Sequence, residues 1–339
     1  MIEGIALDAD IGWADYRLVH VDRASLEDLL DLRTRSLFFD DDPDDLRRLA
    51  PHRFLVASER VATGISGAFR RVQRHLSRRL SVHPTEFPEP VEGALATLAL
   101  HDWQSEWAED DRAAEAEKQL GWLGFRVPLI FEIGSDLLSS PRLVPNTSVV
   151  EMEPVHGPTG EEIGEWPARP FLELDAAQTQ QLRVFLAKLQ TLRDGLCGSP
   201  SANFLRVAND ALLKALLSRG MEQFLWHIVA VEAVLGEVRE GESTTRLLAR
   251  RVGNVLATAG ADRERISEGF EELYGFRSDL VHGRRPKKGV FRGHLRKARE
   301  LALPIVVWGL NTFVDLQTRS AAGGGRAPKR RDLGQLADL

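Results

Sequence analysis

From Asp175 onward the chain keeps one spacing of apolar positions; before it, the pattern keeps changing. Leu182, Phe185, Leu189, Leu192 and Leu196 recur at alternating steps of three and four, the signature of an amphipathic helix. Asp175 and Gln178 supply a capping box at its start. GLCGSPSAN ends this helix and marks a boundary near residue 200. Helical stretches then follow one another. Residues 204–219 are rich in Leu and Ala, and 221–235 carry Phe224, Leu225, Ile228, Val231, Val234 and Leu235. Residues 244–259 carry Leu247, Leu248, Val252, Val255 and Leu256. Residues 262–281 carry Ile266, Phe270, Leu273, Phe276 and Leu280, with Gly283 placed as a stop. Residues 291–316 continue the period, with a kink expected near Pro304. Short connectors between such helices predict an antiparallel bundle over 200–319. The tail 320–339, SAAGGGRAPKRRDLGQLADL, has the composition of a disordered segment.

The first 199 residues read as a mixed α+β region. Leu26–Leu32 suggests a short helix, Asp40–Asp45 an exposed acidic loop, and FRRVQRHLSRRL a helix with Phe69, Val72, Leu76 and Leu80 on one face. HPTEFPEPVEG reads as a connector. Ala94–Leu100 and Leu123–Ile133 read as strands, with Pro128 placing the second at an edge or bulge. Residues 134–174, rich in Pro and Gly, read as strands joined by turns. The expected fold is therefore an α+β N-terminal region followed by an all-α antiparallel bundle, without internal repeats.

Composition narrows the classes. The 339 residues are 43% hydrophobic and 28% charged, which excludes a collagen-like or wholly disordered chain. The single cysteine, Cys197, excludes an internal disulfide and a Cys-based zinc site. No uninterrupted apolar run of about 18 residues suggests a membrane span, and MIEGIALDADIGWADYR is not ordered like a signal peptide. A cytoplasmic setting is expected. The net charge of −6 hides an uneven distribution. Residues 1–199 hold 21 basic and 34 acidic side chains, and residues 200–339 hold 23 and 16. A basic helical region joined to an acidic one admits a polyanionic ligand for the former.

That basic region contains Tyr274-Gly-Phe-Arg277-Ser278-Asp-Leu-Val-His282-Gly283. Arg and His five apart also occur at Arg47/His52, Arg70/His75 and Arg78/His83, in Arg-rich stretches without supporting context. The fourth pair follows one apolar helix with Ala230-Val-Glu232-Ala-Val-Leu235 and another with Leu248-Ala-Arg-Arg251-Val252. This ordered set resembles the ApeA-like branch of the HEPN superfamily, over about residues 200–317. The matching residues are Glu232, Arg251, Tyr274, Arg277, Ser278, His282 and Gly283.

The resemblance implies a metal-independent endoribonuclease, without a cofactor, in which the RNA 2′-hydroxyl attacks the adjacent phosphate. Arg277, His282 and Ser278 are then the catalytic set. The residue types suit this role: His exchanges protons near neutral pH, and Arg forks onto two phosphate oxygens. Glu232, Arg251 and Tyr274 are supporting residues, with Glu232 expected to orient Arg277 or Arg251. Arg284, Arg285, Lys287, Lys288, Arg292 and Arg296 form a basic rim for the RNA backbone. Five helical residues turn through about 140°, so Arg277 and His282 do not stack; in the superfamily two copies usually build one cleft across a homodimer axis. The resemblance also implies a toxin or anti-phage defence effector, with a phage-derived or protein trigger at the N-terminal domain.

The alternative is a non-catalytic RNA-binding, dimerisation or scaffold module of the same superfamily. There is no phosphate-binding loop and no His/Asp/Glu set with metal-ligand spacing. Trp226 and His227 read as core-edge residues rather than ligands.

Overall fold

The computed structural model describes residues 5–21, 53–57, 89–103, 129–132, 142–145, 155–156, 162–163, 172–196, 199–218, 220–237, 241–258, 260–284 and 290–339. The chain divides into two compact units, one of residues 1–95 and 101–187, the other of residues 96–100 and 188–339. The division falls inside a helix, upstream of the break expected near residue 200.

The first unit contains short strands. β1 (Ile5–Leu7) pairs in parallel with β9 (Leu172–Leu174). β2 (Ile11–Trp13), β3 (Tyr16–His20) and β4 (Arg53–Ala57) form an antiparallel sheet in that order. Strand periodicity sends Ile11 and Trp13 inward and leaves Gly12 exposed. β5 (Leu129–Glu132) pairs with β6 (Arg142–Pro145), and β7 (Val155–His156) with β8 (Glu162–Ile163), both antiparallel. The strands expected within 123–133 and 134–174 are thus present in part. The helices expected at 26–32 and 69–80, the acidic loop and the three upstream Arg/His pairs lie outside the described residues.

One expectation is overturned. Ala94–Leu100 does not form a strand: α1 (Glu89–Ala99) covers nearly all of it. Its apolar residues are Ala and Leu, the strongest helix formers, and it has no run of β-branched side chains. Burial on every side, from Ala94 through Leu100, removed the alternation that separates strand from helix.

α2 (Ala176–Leu196) begins on the expected capping box: the Gln178 amide donates to Asp175 Oδ1 at 2.8 Å, and the Asp175 amide to Gln178 Oε1 at 3.0 Å. After a 3₁₀ turn at Pro200–Ala202, the second unit is helical: α3 (Asn203–Leu217), α4 (Gly220–Leu235), α5 (Thr244–Leu256), α6 (Gly260–Val281), α7 (Val290–Ala322) and α8 (Arg330–Ala337). α4 packs chiefly on α3 and α7, and α5 on α6. Phe224, Ile228, Val231, Val234 and Leu235 of α4 are buried there with Phe270 and Leu273 of α6 and Phe313 of α7. α7 is long and apolar enough to cross a membrane by length and composition, unlike the expectation from uninterrupted runs. Its apolar stripe of Ala302, Ile305, Val306, Leu310 and Phe313 is buried among the other helices.

The tail is a second correction. Residues 330–337 form α8, with Leu333, Gly334 and Ala337 buried. Arg326 grips Asp332 with both terminal nitrogens, and the Lys329 amide donates to the same carboxylate at 2.7 Å. Eight residues cannot sustain a helix alone, so tertiary contacts hold this one.

His227 is buried and donates its Nδ1 proton to the Gln223 carbonyl one turn earlier, at 2.8 Å. Burial, reinforced by the nearby Arg299 cation, pushes its pKa down to about 3. The unfolded chain takes up this proton below about pH 6.5 while the folded chain refuses it. Stability is therefore full above that pH and declines below it, by up to about 1.4 kcal/mol per pH unit until pH 3. His227→Leu is expected to flatten the decline: between pH 6.5 and 5 the variant should lose about 2 kcal/mol less than wild type in urea titrations. Parallel declines would contradict the assignment.

Candidate active site

The C-terminal half of α6 carries the motif. Phe270, Leu273, Tyr274 and Arg277 follow one another at steps of three, one and three, so they share a face. Phe270 and Leu273 are fully buried, while Tyr274 and Arg277 continue the stripe to the edge of the bundle. Phe276 anchors the same turn from a neighbouring face: it meets Phe224 of α4 edge-on at 5.4 Å and lies 6.1 Å from Phe291 and 4.4 Å from the His294 ring, both of α7.

Glu232, on α4, meets this stripe. The Tyr274 hydroxyl donates to Glu232 Oε1 at 2.5 Å, the short distance expected of a hydroxyl facing a carboxylate. Burial, then this bond and the carboxylate charge, push the Tyr274 pKa up to about 12, so the phenol keeps its proton throughout the neutral range. Arg277 Nη2 lies 3.9 Å from the same Oε1, and its guanidinium carbon lies 5.6 Å from the Tyr274 ring centre, within cation–π range. Of the two expected partners Glu232 faces Arg277, while Tyr274 makes its closest contact. Arg277 is about one-third exposed and makes no hydrogen bond through its guanidinium among the described residues. Its forked donors remain available to an oxyanion.

α6 stops where Gly283 was expected to stop it. The Gly283 amide donates to the Leu280 carbonyl at 3.0 Å and the Arg284 amide to the Asp279 carbonyl at 2.8 Å. With Gly283 at φ +72°, these bonds form a Schellman motif. α6 ends at Val281 and His282 is its C-cap: the His282 amide still donates to the Ser278 carbonyl at 3.0 Å. Its imidazole is exposed and has no partner among the described residues. The helix gives way at His282–Gly283; with the His282 amide still bonded to Ser278, ideal helical geometry sets His282 about 140° around the axis from Arg277. Ser278 is half-buried, one turn before His282.

Arg251 lies elsewhere. Its side chain is 1% exposed and points to the C-terminal end of α4. It donates to the Leu235 carbonyl at 2.6 Å, to Glu237 at 2.8 Å, and through Nε and Nη2 to both oxygens of Asp338 at 2.9 and 3.0 Å. Arg251 is thus a buried structural clamp, not a partner of Glu232. Sequence reasoning missed Asp338 and Arg330, which bring α8 to this place; neither carries a local signal, because their partners lie 87 and 98 residues away.

In the basic rim, Arg284 is exposed and pairs with Asp279 at 2.7 Å, while Arg292 and Arg296 are exposed on the first turns of α7. Arg285, Lys287 and Lys288 lie outside the described residues. Trp226 is half-buried, with Lys214 Nζ 4.5 Å above its ring, and His227 belongs to the core. No cluster of metal-ligating side chains occurs among the described residues. No protein-family model, curated protein or solved structure matches the chain.

Proposed function

We propose that the helical unit is a HEPN-like, metal-independent endoribonuclease that acts from the end of α6. The observation that carries this reading is Arg277: its charge is oriented by Glu232 and Tyr274, its donors are uncommitted, and His282 stands exposed at the C-cap of the same helix. The motif resemblance supplies the reaction. The ribose 2′-oxygen forms a bond to the adjacent phosphorus as the bond to the 5′-oxygen breaks, leaving a 2′,3′-cyclic phosphate and a 5′-hydroxyl. His282 moves the proton, from the 2′-hydroxyl or to the leaving oxygen. Arg277 neutralises the phosphate oxygens as charge builds, and the Ser278 hydroxyl bonds a phosphate oxygen. Arg284, Arg292 and Arg296, with Arg285, Lys287 and Lys288, hold the backbone.

The angular separation of Arg277 and His282 is met by a homodimer in which two α6 ends face each other across a two-fold axis. A defence or toxin role, a trigger at the N-terminal region and a cytoplasmic setting rest on the motif resemblance alone.

One observation favours the non-catalytic alternative: Arg277 already has a carboxylate and an aromatic face beside it, as a structural arginine would. The substrate separates the two readings. Full-length protein should cut an RNA oligonucleotide but leave its 2′-O-methyl counterpart intact, because the nucleophile is blocked. Binding of both without cleavage of either supports the alternative, and cleavage of both contradicts the proposed chemistry.

A further inference from the structure

The C-terminal end of α4 is capped by arginines from two other helices. Arg251 of α5 takes the Leu235 carbonyl, and Arg330 of α8 donates through Nη2 to the Glu232 carbonyl, which also accepts from the Gly236 amide at 2.9 Å. Glu232 is therefore held twice. Its backbone is gripped by α8, and its carboxylate holds Tyr274 and faces Arg277.

The placement of Arg330 is costly. Burial weighs most against its charge, with Glu237 and Glu232 favouring it and Arg251 opposing it, and its buried Nε has no hydrogen-bond partner among the described residues. Space is reserved for it, since a Cβ at Gly236 would lie 2.7 Å from Arg330 Nη2. α8 reaches this point after Gly323–Gly325, with Gly324 at φ +65° and Pro328 buried. It is fastened by Asp338 to Arg250 and Arg251, and by its Ala337 carbonyl to Asn254 Nδ2 at 3.0 Å.

We infer that Arg330 is a positioning residue: docked α8 fixes the main chain at Glu232 and thereby sets the Glu232–Tyr274–Arg277 arrangement. Its catalytic consequence rests on the proposed ribonuclease reading; its structural consequence does not. Releasing α8 frees the turn that carries Glu232, and the Tyr274 hydroxyl loses its acceptor.

The chain has two tyrosines, so in a full-length Tyr16→Phe background the only phenol is that of Tyr274. Phenolate absorbance is followed as pH rises, alongside thermal melting and RNA cleavage kinetics. The background protein should form phenolate well above the ordinary pKa of about 10. Arg330→Ala should move that titration back toward 10 in a chain that still melts cooperatively, Arg330→Lys should restore most of the shift, and kcat should fall about tenfold with KM unchanged. A folded Arg330→Ala chain with unaltered Tyr274 titration overturns the inference. Should that chain fail to fold, Asp338→Asn loosens α8 without touching Glu232, and unaltered titration there overturns it equally. If the wild-type chain cuts no RNA, the ribonuclease reading fails while the titration still decides the role of Arg330.

Discussion

His282→Ala is expected to slow RNA cleavage by about 10²- to 10⁴-fold, the usual contribution of a positioned acid or base. The loss should be one of activity, not of stability. His282 is exposed and its ring makes no bond among the described residues, and the bonds that end α6 are made by backbone groups and Gly283. Its melting temperature should therefore stay close to wild type. Arg277→Ala should cost about 10²- to 10³-fold, the scale of a lost oxyanion donor. Arg277→Lys should recover little, because lysine keeps the charge but lacks the fork. Single-turnover rates, with melting curves on the same preparations, separate these effects. A His282→Ala protein as active as wild type would remove His282 from the chemistry.

The largest stability loss is expected at the clamp below α8. Arg251→Ala should destabilise the protein by about 3–5 kcal/mol, the range for removing one member of a buried ion pair. The Leu235 carbonyl, Glu237 and Asp338 lose a donor together, and Asp338 keeps a second guanidinium, that of Arg250. The face of the guanidinium is also packed, because a Cβ at Gly334 would lie within 2.7 Å of it. Asp338→Ala should cost less, since Asp338 is partly exposed and Arg251 keeps Glu237 and the Leu235 carbonyl. Added salt should reduce the cost only slightly, because the guanidinium is shielded from solvent. Urea denaturation of the two variants measures this order, and equal small losses would show that α8 contributes little to the fold.

Local signals were the legible ones. The Asp175–Gln178 box and the Gly283 stop each work through atoms within a few residues, so the sequence pattern carries them directly. The helices after residue 200 were legible for the same reason, through their apolar period. Ala94–Leu100 was not, because burial all round leaves no periodicity to read. The role of α8 was hidden differently. Its glycines and basic residues have the composition of an unfolded tail, and its fastening to Arg251 depends on a contact 87 residues away in sequence. At the site, an acid in an apolar stretch pointed to Arg277 or Arg251, and Glu232 lies 3.9 Å from Arg277. Tyr274 was expected only as a supporting residue of the motif, and its short bond to Glu232 was not legible because the two lie 42 residues apart.

The central claim is that the end of α6 performs transesterification on RNA, and the ends of the products test it most directly. Wild-type, Arg277→Ala and His282→Ala proteins are incubated with a defined RNA in EDTA, and the new termini are identified by mass spectrometry. Wild-type products should carry 2′,3′-cyclic phosphate and 5′-hydroxyl ends, and both variants should give almost none. Products with 5′-phosphate ends, or cyclic phosphate ends formed equally by all three proteins, would contradict it.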